Sequence, residues 1–263
     1  MANDVHSTGA AFLRTVEAHR VGDLRLPRTT VRDGFGRNPV CNHPASSRPV
    51  QGLPLQVLMA SAVSIPMQLT SVYQSMGITR KKGADAVKAL VHAGLAMIVR
   101  LPSGSRGGGL RLLQITDRGW EVLGELNVPR PKRPTHGGWL HNVAASAIGA
   151  VGRWEGHQVR CEYQIPGVRL DVAWLANTGK ATFFLIGVSD PSREADSIIR
   201  AFEVPVVQNQ GLVLVCRDRQ FGDRVRSLCK SRLGKESMAK LQTRLVGQVL
   251  KRYYEGQDGR TSK

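Results

Sequence analysis

Residues 55–126 constrain this chain most, because apolar spacing, helix stops and cations there agree on one local arrangement. Behind Pro54, a residue suited to the first turn of a helix, Leu55, Leu58, Met59, Ala62 and Val63 repeat at i, i+3, i+4, i+7 and i+8. That spacing predicts a helix with one buried face. A second helical pattern runs from Pro66 through Leu69, Val72, Tyr73 and Met76, and Gly77 supplies a stop. Thr79 is the N-cap of a third, which reaches Gly94 with Ala86, Val87, Leu90 and Val91 as its inward stripe. Two strand-like runs, residues 96–101 and 110–116, flank a glycine-rich tip and predict a hairpin. Helical spacing resumes over residues 117–126 through Trp120, Leu123 and Leu126, with Thr116 before it.

The order helix, helix, helix, hairpin, helix resembles a winged helix-turn-helix. Its third helix would be the recognition helix, because Arg80, Lys81, Lys82, Lys88 and His92 lie opposite the apolar stripe. Lys81, Asp85, Lys88 and His92 fall at i, i+4, i+7 and i+11, on one solvent face. The expected DNA-contact set is therefore Thr79, Arg80, Lys81, Lys82, Asp85, Lys88 and His92. Arg106 and Arg111 on the hairpin, and Lys132 and Arg133 beyond it, complete that set. Cations of this kind grip phosphate more readily than they read a base edge.

Charge supports a polyanionic partner. The formal net charge is +17 over 263 residues, and it is uneven: residues 158–216 hold 5 cations and 6 acids, whereas residues 217–263 hold 13 cations and 5 acids. Such a surplus repels itself in the folded state unless a polyanion is the usual neighbour, and double-stranded DNA is the economical candidate. No apolar run approaches the roughly 20 residues of a membrane span, so no membrane partner is expected and a cytoplasmic, nucleoid-associated location is. Cys41, Cys161, Cys216 and Cys229 are far apart and read as reduced thiols. Cys41 with His43, and His136 with His141, lack the partner ligands that a zinc site needs, so no metal is expected there.

Composition and breakers divide the chain. Residues 1–54 read as a basic arm with one short helix, and residues 55–127 as the winged helix. In residues 128–134 (VPRPKRP) prolines alternate with cations, which enforces an extended spacer within a linker over residues 128–138. Residues 139–253 form a second domain, and residues 254–263 a tail. In that domain Leu140, Val143, Ala144, Ala147, Ile148 and Val151 predict a helix. Strand-like runs follow at residues 158–165, 168–176 and 181–189, then a helix over residues 192–202 and an apolar strand over residues 211–216. Residues 221–230 and 235–253 read as two closing helices, the second with Met238, Leu241, Leu245, Val249 and Tyr253 on one side.

The order αβββαβ resembles the core of the PD-(D/E)xK nucleases, the restriction-endonuclease-like fold. That resemblance implies a Mg²⁺ site built from an acid on the second core strand and a Glu-x-Lys on the third. Asp171 falls at the first position, but Leu185 and Gly187 stand where Glu and Lys would. One aspartate cannot focus a Mg²⁺ ion, so Asp171 is read as vestigial, no cofactor is expected and the module is read as inactive. Asp190, Glu194 and Glu162 are the acids that could have migrated. A winged helix followed by a degraded nuclease module is similar to the replication-relaxation group of plasmid and mobile-element proteins. The matching stretches are ALVHAGL (89–95), ITDRG (115–119), the helix opened by His136, Leu170-Asp171-Val172 and the helix over residues 192–202. The resemblance implies sequence-specific DNA binding in replication, transfer or transcriptional control, by a homodimer or with protein partners of such a complex. A Mg²⁺-dependent endonuclease and a winged-helix protein adaptor are the alternatives.

Overall fold

A computed structural model of the chain describes residues 50–104, 109–132 and 135–261. Nearly all of the expected N-terminal arm, Arg106 and Arg133 lie outside these residues. The described chain is mixed α and β, with a small antiparallel sheet, a five-stranded mixed sheet, and helices packed around them.

The first part contains α1 (Leu53–Ala60), α2 (Leu69–Ser75), α3 (Arg80–His92), β1 (Ala96–Pro102), β2 (Gly109–Ile115) and α4 (Asp117–Glu125). Local chemistry sets the ends. Thr79 caps α3 by accepting the Lys82 N–H at 3.4 Å, and Thr116 caps α4 by accepting that of Gly119 at 3.1 Å. Helices α2 and α3 stop on Gly77 and Gly94, at φ 64° and 70°. After each, the N–H of Ile78 or Leu95 returns to the carbonyl of Tyr73 or Leu90 at 3.0 Å, closing the helix end.

Two details differ from the spacing. α1 ends at Ala60, where the Ser61 hydroxyl donates to the Val57 carbonyl at 2.8 Å, and Val63 is exposed rather than on a buried face. On α3, Val91 is exposed, while Gly83 and Ala93 join Ala86, Val87 and Leu90 inside. A single core binds these elements, with Val57, Leu58, Val72, Leu90, Leu113 and Leu123 at its centre.

The second part contains α5 (Trp139–Trp154), β3 (Gln158–Ile165), β4 (Val168–Leu175), β5 (Ala181–Gly187) and α6 (Pro191–Phe202). It continues with α7 (Pro205–Gln210), β6 (Leu212–Cys216), α8 (Arg219–Lys230), α9 (Lys235–Lys240), β7 (Leu241–Leu245) and α10 (Val246–Thr261). The sheet runs β3-β4-β5-β6-β7, antiparallel up to β5 and parallel from β5 to β7. Period-2 alternation divides its faces. Phe183, Leu185, Leu212 and Leu214 pack on α6 and α8, whereas Phe184, Ile186, Val213 and Val215 pack beneath α5 and α10.

The closing segment is a correction. Residues 235–253 do not form one helix; β7 interrupts them and extends the sheet beside β6. Leu241 and Leu245 are four apart, a spacing that fits one helical face and one strand face equally, and Thr243 between them suits a strand. His136 likewise does not open a helix: α5 begins at Trp139.

The hairpin joins both parts. Leu113 and Ile115 face the first core, while Leu101, Leu110 and Leu112 share a core with α5 and α10. No helix among the described residues is long and apolar enough to cross a membrane.

Candidate functional site

Helix α3 presents the first candidate surface. Its inner face is held close to α2, because Gly83 lies under the buried ring of Tyr73. Its outer face exposes Arg80, Lys81, Lys82, Asp85, Lys88 and His92. Lys88 pairs with Asp85 at 3.6 Å, with both side chains largely in water, so this pair adds little to stability. Arg80, Lys81 and Lys82 make no ion pair among the described residues.

The hairpin adds a cation that the sequence reading missed. Arg100 on β1 faces Arg111 on β2 across the ladder, and both are exposed. Like charges at directly opposed positions destabilise a hairpin unless an anion lies between or over them. Arg111 is also near enough to Tyr73 that its charge partly opposes the upward shift that burial imposes on the phenol. The pairing register around the tip was the signal for Arg100: a symmetric fold of the two runs places these arginines opposite each other. Lys132 is exposed in a different setting, a cleft of about 330 Å³ between α4 and α5 lined by Trp120 and Trp139.

Asp171 is the centre of the second cluster. The β4–β5 ladder ends at Val172 with Phe184, and the strands then part. In that fork the Asp171 carboxylate replaces the missing ladder partner: its Oδ2 accepts the Ile186 N–H at 2.6 Å. Its Oδ1 lies 3.1 Å from Nε2 of His141, in the first turn of α5.

The other imidazole nitrogen, Nδ1, is 2.8 Å from the Thr135 hydroxyl. Neutral His141 accepts that hydroxyl proton and donates to Asp171. Protonated His141 donates on both sides, and Thr135 then turns its hydroxyl to Asn142 Oδ1, 3.2 Å away. Asn142 is itself fixed by the Gly138 carbonyl at 3.0 Å and by the Thr135 N–H at 3.1 Å.

Two further acids approach. Glu194, on the first turn of α6, has its carboxyl pushed up to about 7, by burial first and by the charge of Asp171 second. Glu162 stands between the pairs Cys161–Val172 and Tyr163–Leu170, so the register sets it across from Asp171. Its backbone is in the left-handed region at φ 51°, costly for a residue with a side chain. The Glu162 carboxylate accepts the His136 N–H at 2.9 Å and lies 3.4 Å from the His136 ring.

This donor set does not fit Mg²⁺. Both Asp171 oxygens are engaged by nitrogen groups, Leu185 and Gly187 offer no ligand, and the described residues hold no group of three or more His, Cys, Asp or Glu able to bind a metal ion. What the arrangement can do is hold a proton on Glu194, whose carboxyl feels the charges of the nearby Asp171 and His141. Asp190 is not part of it; its carboxylate caps α6 by accepting the N–H groups of Ser192 at 2.9 Å and Arg193 at 3.4 Å.

No protein-family model matches the chain, and no curated protein matches it.

Proposed function

We propose that the chain is a double-stranded DNA-binding protein. In this reading residues 55–127 form a winged helix-turn-helix with α3 as its recognition helix. Residues 139–253 form an αβββαβ nuclease-like core kept for structure or binding, without a catalytic set. One observation carries the reading: α3 exposes Arg80, Lys81 and Lys82 without ion-pair partners among the described residues, beside a hairpin on which Arg100 and Arg111 face each other. A phosphate backbone resolves both features, since it supplies acceptors to the unpaired cations and relieves the arginine pair. The resemblance to replication-relaxation proteins supports a plasmid or mobile-element setting.

The test is the salt dependence of duplex binding. Replacing Lys81 and Lys82 together by Gln should weaken affinity and reduce the slope of log K against log salt by about two, one for each lost phosphate contact. An unchanged slope would overturn the assignment of α3. Sequencing the fragments of source DNA retained at about 150 mM salt, where loose electrostatic binding is weakened, tests specificity. Enrichment of paired half-sites would identify a homodimer, and uniform recovery would refute a sequence-specific reader.

A further inference from the structure

A second polar cleft lies on the α5/α10 side of the five-stranded sheet, where β5, β6 and β7 begin. It encloses about 330 Å³, within the range of small-ligand sites. Its floor is a row of rings: Phe184 lies tilted at 54° against Trp174 with centroids 4.7 Å apart, and His157 stacks on Trp174 at 5.4 Å with 14° between planes. The Trp174 N–H is already used on the Ile148 carbonyl at 3.1 Å, and the ring is buried, so its role is to support His157. The outer ring, His157, keeps 29% of its side-chain surface open.

Three cations line the same cleft against one carboxylate, Glu155. Arg252 is paired with that carboxylate, and Lys240 with Glu236 at 2.7 Å. Arg244 differs. It sits on β7 opposite Val215, half-buried, and its guanidinium makes no ion pair or hydrogen bond among the described residues. A partly desolvated guanidinium without an acceptor is an electrostatic cost, and an oxyanion that takes its paired N–H groups removes that cost.

From this juxtaposition we propose that the cleft binds a nucleoside phosphate, with the phosphate on Arg244 and the base on the open face of His157. None of its residues belongs to the α3 surface, so this inference does not rest on the duplex-binding reading. The same chemistry is offered by a free mononucleotide and by the 5′-phosphorylated end of a strand. An aromatic face beside a cation suits either, because every base has a π-face.

Calorimetric titration of the full chain tests this with four probes: dAMP, inorganic phosphate, and a short oligothymidylate with and without its 5′-phosphate. Saturable binding of dAMP is expected, weakened about ten-fold or more by Arg244→Gln and several-fold by His157→Ala. Neutralising Lys81 and Lys82 should leave it unchanged. Tighter binding of the phosphorylated oligonucleotide than of dAMP identifies a strand end, and the reverse order identifies a free nucleotide. Equal binding by wild type and Arg244→Gln, inorganic phosphate binding as tightly as dAMP, or no saturation by millimolar dAMP each overturns the proposal. If Arg244→Gln does not fold, Arg244→Lys keeps the charge but loses the planar fork, and its binding must still fall several-fold.

Discussion

Glu194 fills the space above Gly187: a Cβ at residue 187 would lie 3.0 Å from the Glu194 Cγ, and 2.9 Å from the Phe221 ring. The last residue of β5 thus lacks a side chain at the point where a carboxylate from α6 leans over the strand toward Asp171. A side chain on the strand and Glu194 on the helix are alternatives for the same volume.

That placement has a pH consequence. Burial and the Asp171 charge raise the Glu194 carboxyl from an ordinary 4.5 to about 7 in the folded state. A raised carboxyl favours folding while protonated, so its contribution is complete below pH 4.5, declines as the unfolded chain ionises, and is gone above pH 7. The range is up to about 3 kcal/mol. Glu194→Gln should therefore melt near wild type at pH 4, increasingly above it from pH 5 to 7, and by a constant margin beyond. A margin that shrinks with rising pH would contradict the assigned environment.

The contact between α2 and α3 makes the opposite kind of demand. A Cβ on Gly83 would meet the Tyr73 ring at 2.4 Å, and that ring is only 6% exposed. Gly→Ala inside a helix normally gains up to about 1 kcal/mol, whereas overpacking a fixed aromatic costs about 1–3 kcal/mol. Gly83→Ala should lower the melting temperature and weaken duplex binding together, since α3 must tilt or shift. Adding Tyr73→Leu should restore part of both. A Gly83→Ala protein as stable as wild type would show that the two helices separate freely.

How much of this was readable in the sequence follows from how local each signal is. Thr79, Gly77 and Gly94 act within a few residues, and their caps are formed as the spacing predicts. β7 was hidden because Leu241 and Leu245 satisfy both periods, and only the free edge of β6 decides between them. The proton-holding cluster was hidden more deeply. His141, Asp171 and Glu194 come from a helix start, a strand and another helix, and they meet because the strands part at Val172. The acids were visible as residues, but nothing local reports that a missing side chain at Gly187 leaves room for Glu194. Val91 was misplaced for a smaller reason: the buried arc of α3 is turned toward Gly83, so the valine falls off its edge.

The tip end of the hairpin, where Pro102 pairs with Gly109, rests on α10 through another glycine. A Cβ at Gly247 would meet the Pro102 carbonyl oxygen at 2.3 Å, and further along the same helix the Tyr254 hydroxyl donates to the Pro66 carbonyl at 2.6 Å. With Leu101, Leu110 and Leu112 in the core under α5 and α10, these contacts couple the first part of the chain to its last helix. Unfolding should accordingly be one transition, with equal calorimetric and van't Hoff enthalpies. Tyr254→Phe removes one hydrogen bond and leaves the Pro66 carbonyl without that donor, so it should cost about 1 kcal/mol without splitting the transition. Gly247→Ala should cost more, about 1–3 kcal/mol, because backbone rather than a flexible side chain must move away. It should also broaden or divide the transition as the hairpin lifts from α10. Two separate transitions in the wild-type protein would mean that the shared core does not couple the parts, and the Gly247 contact would then be incidental.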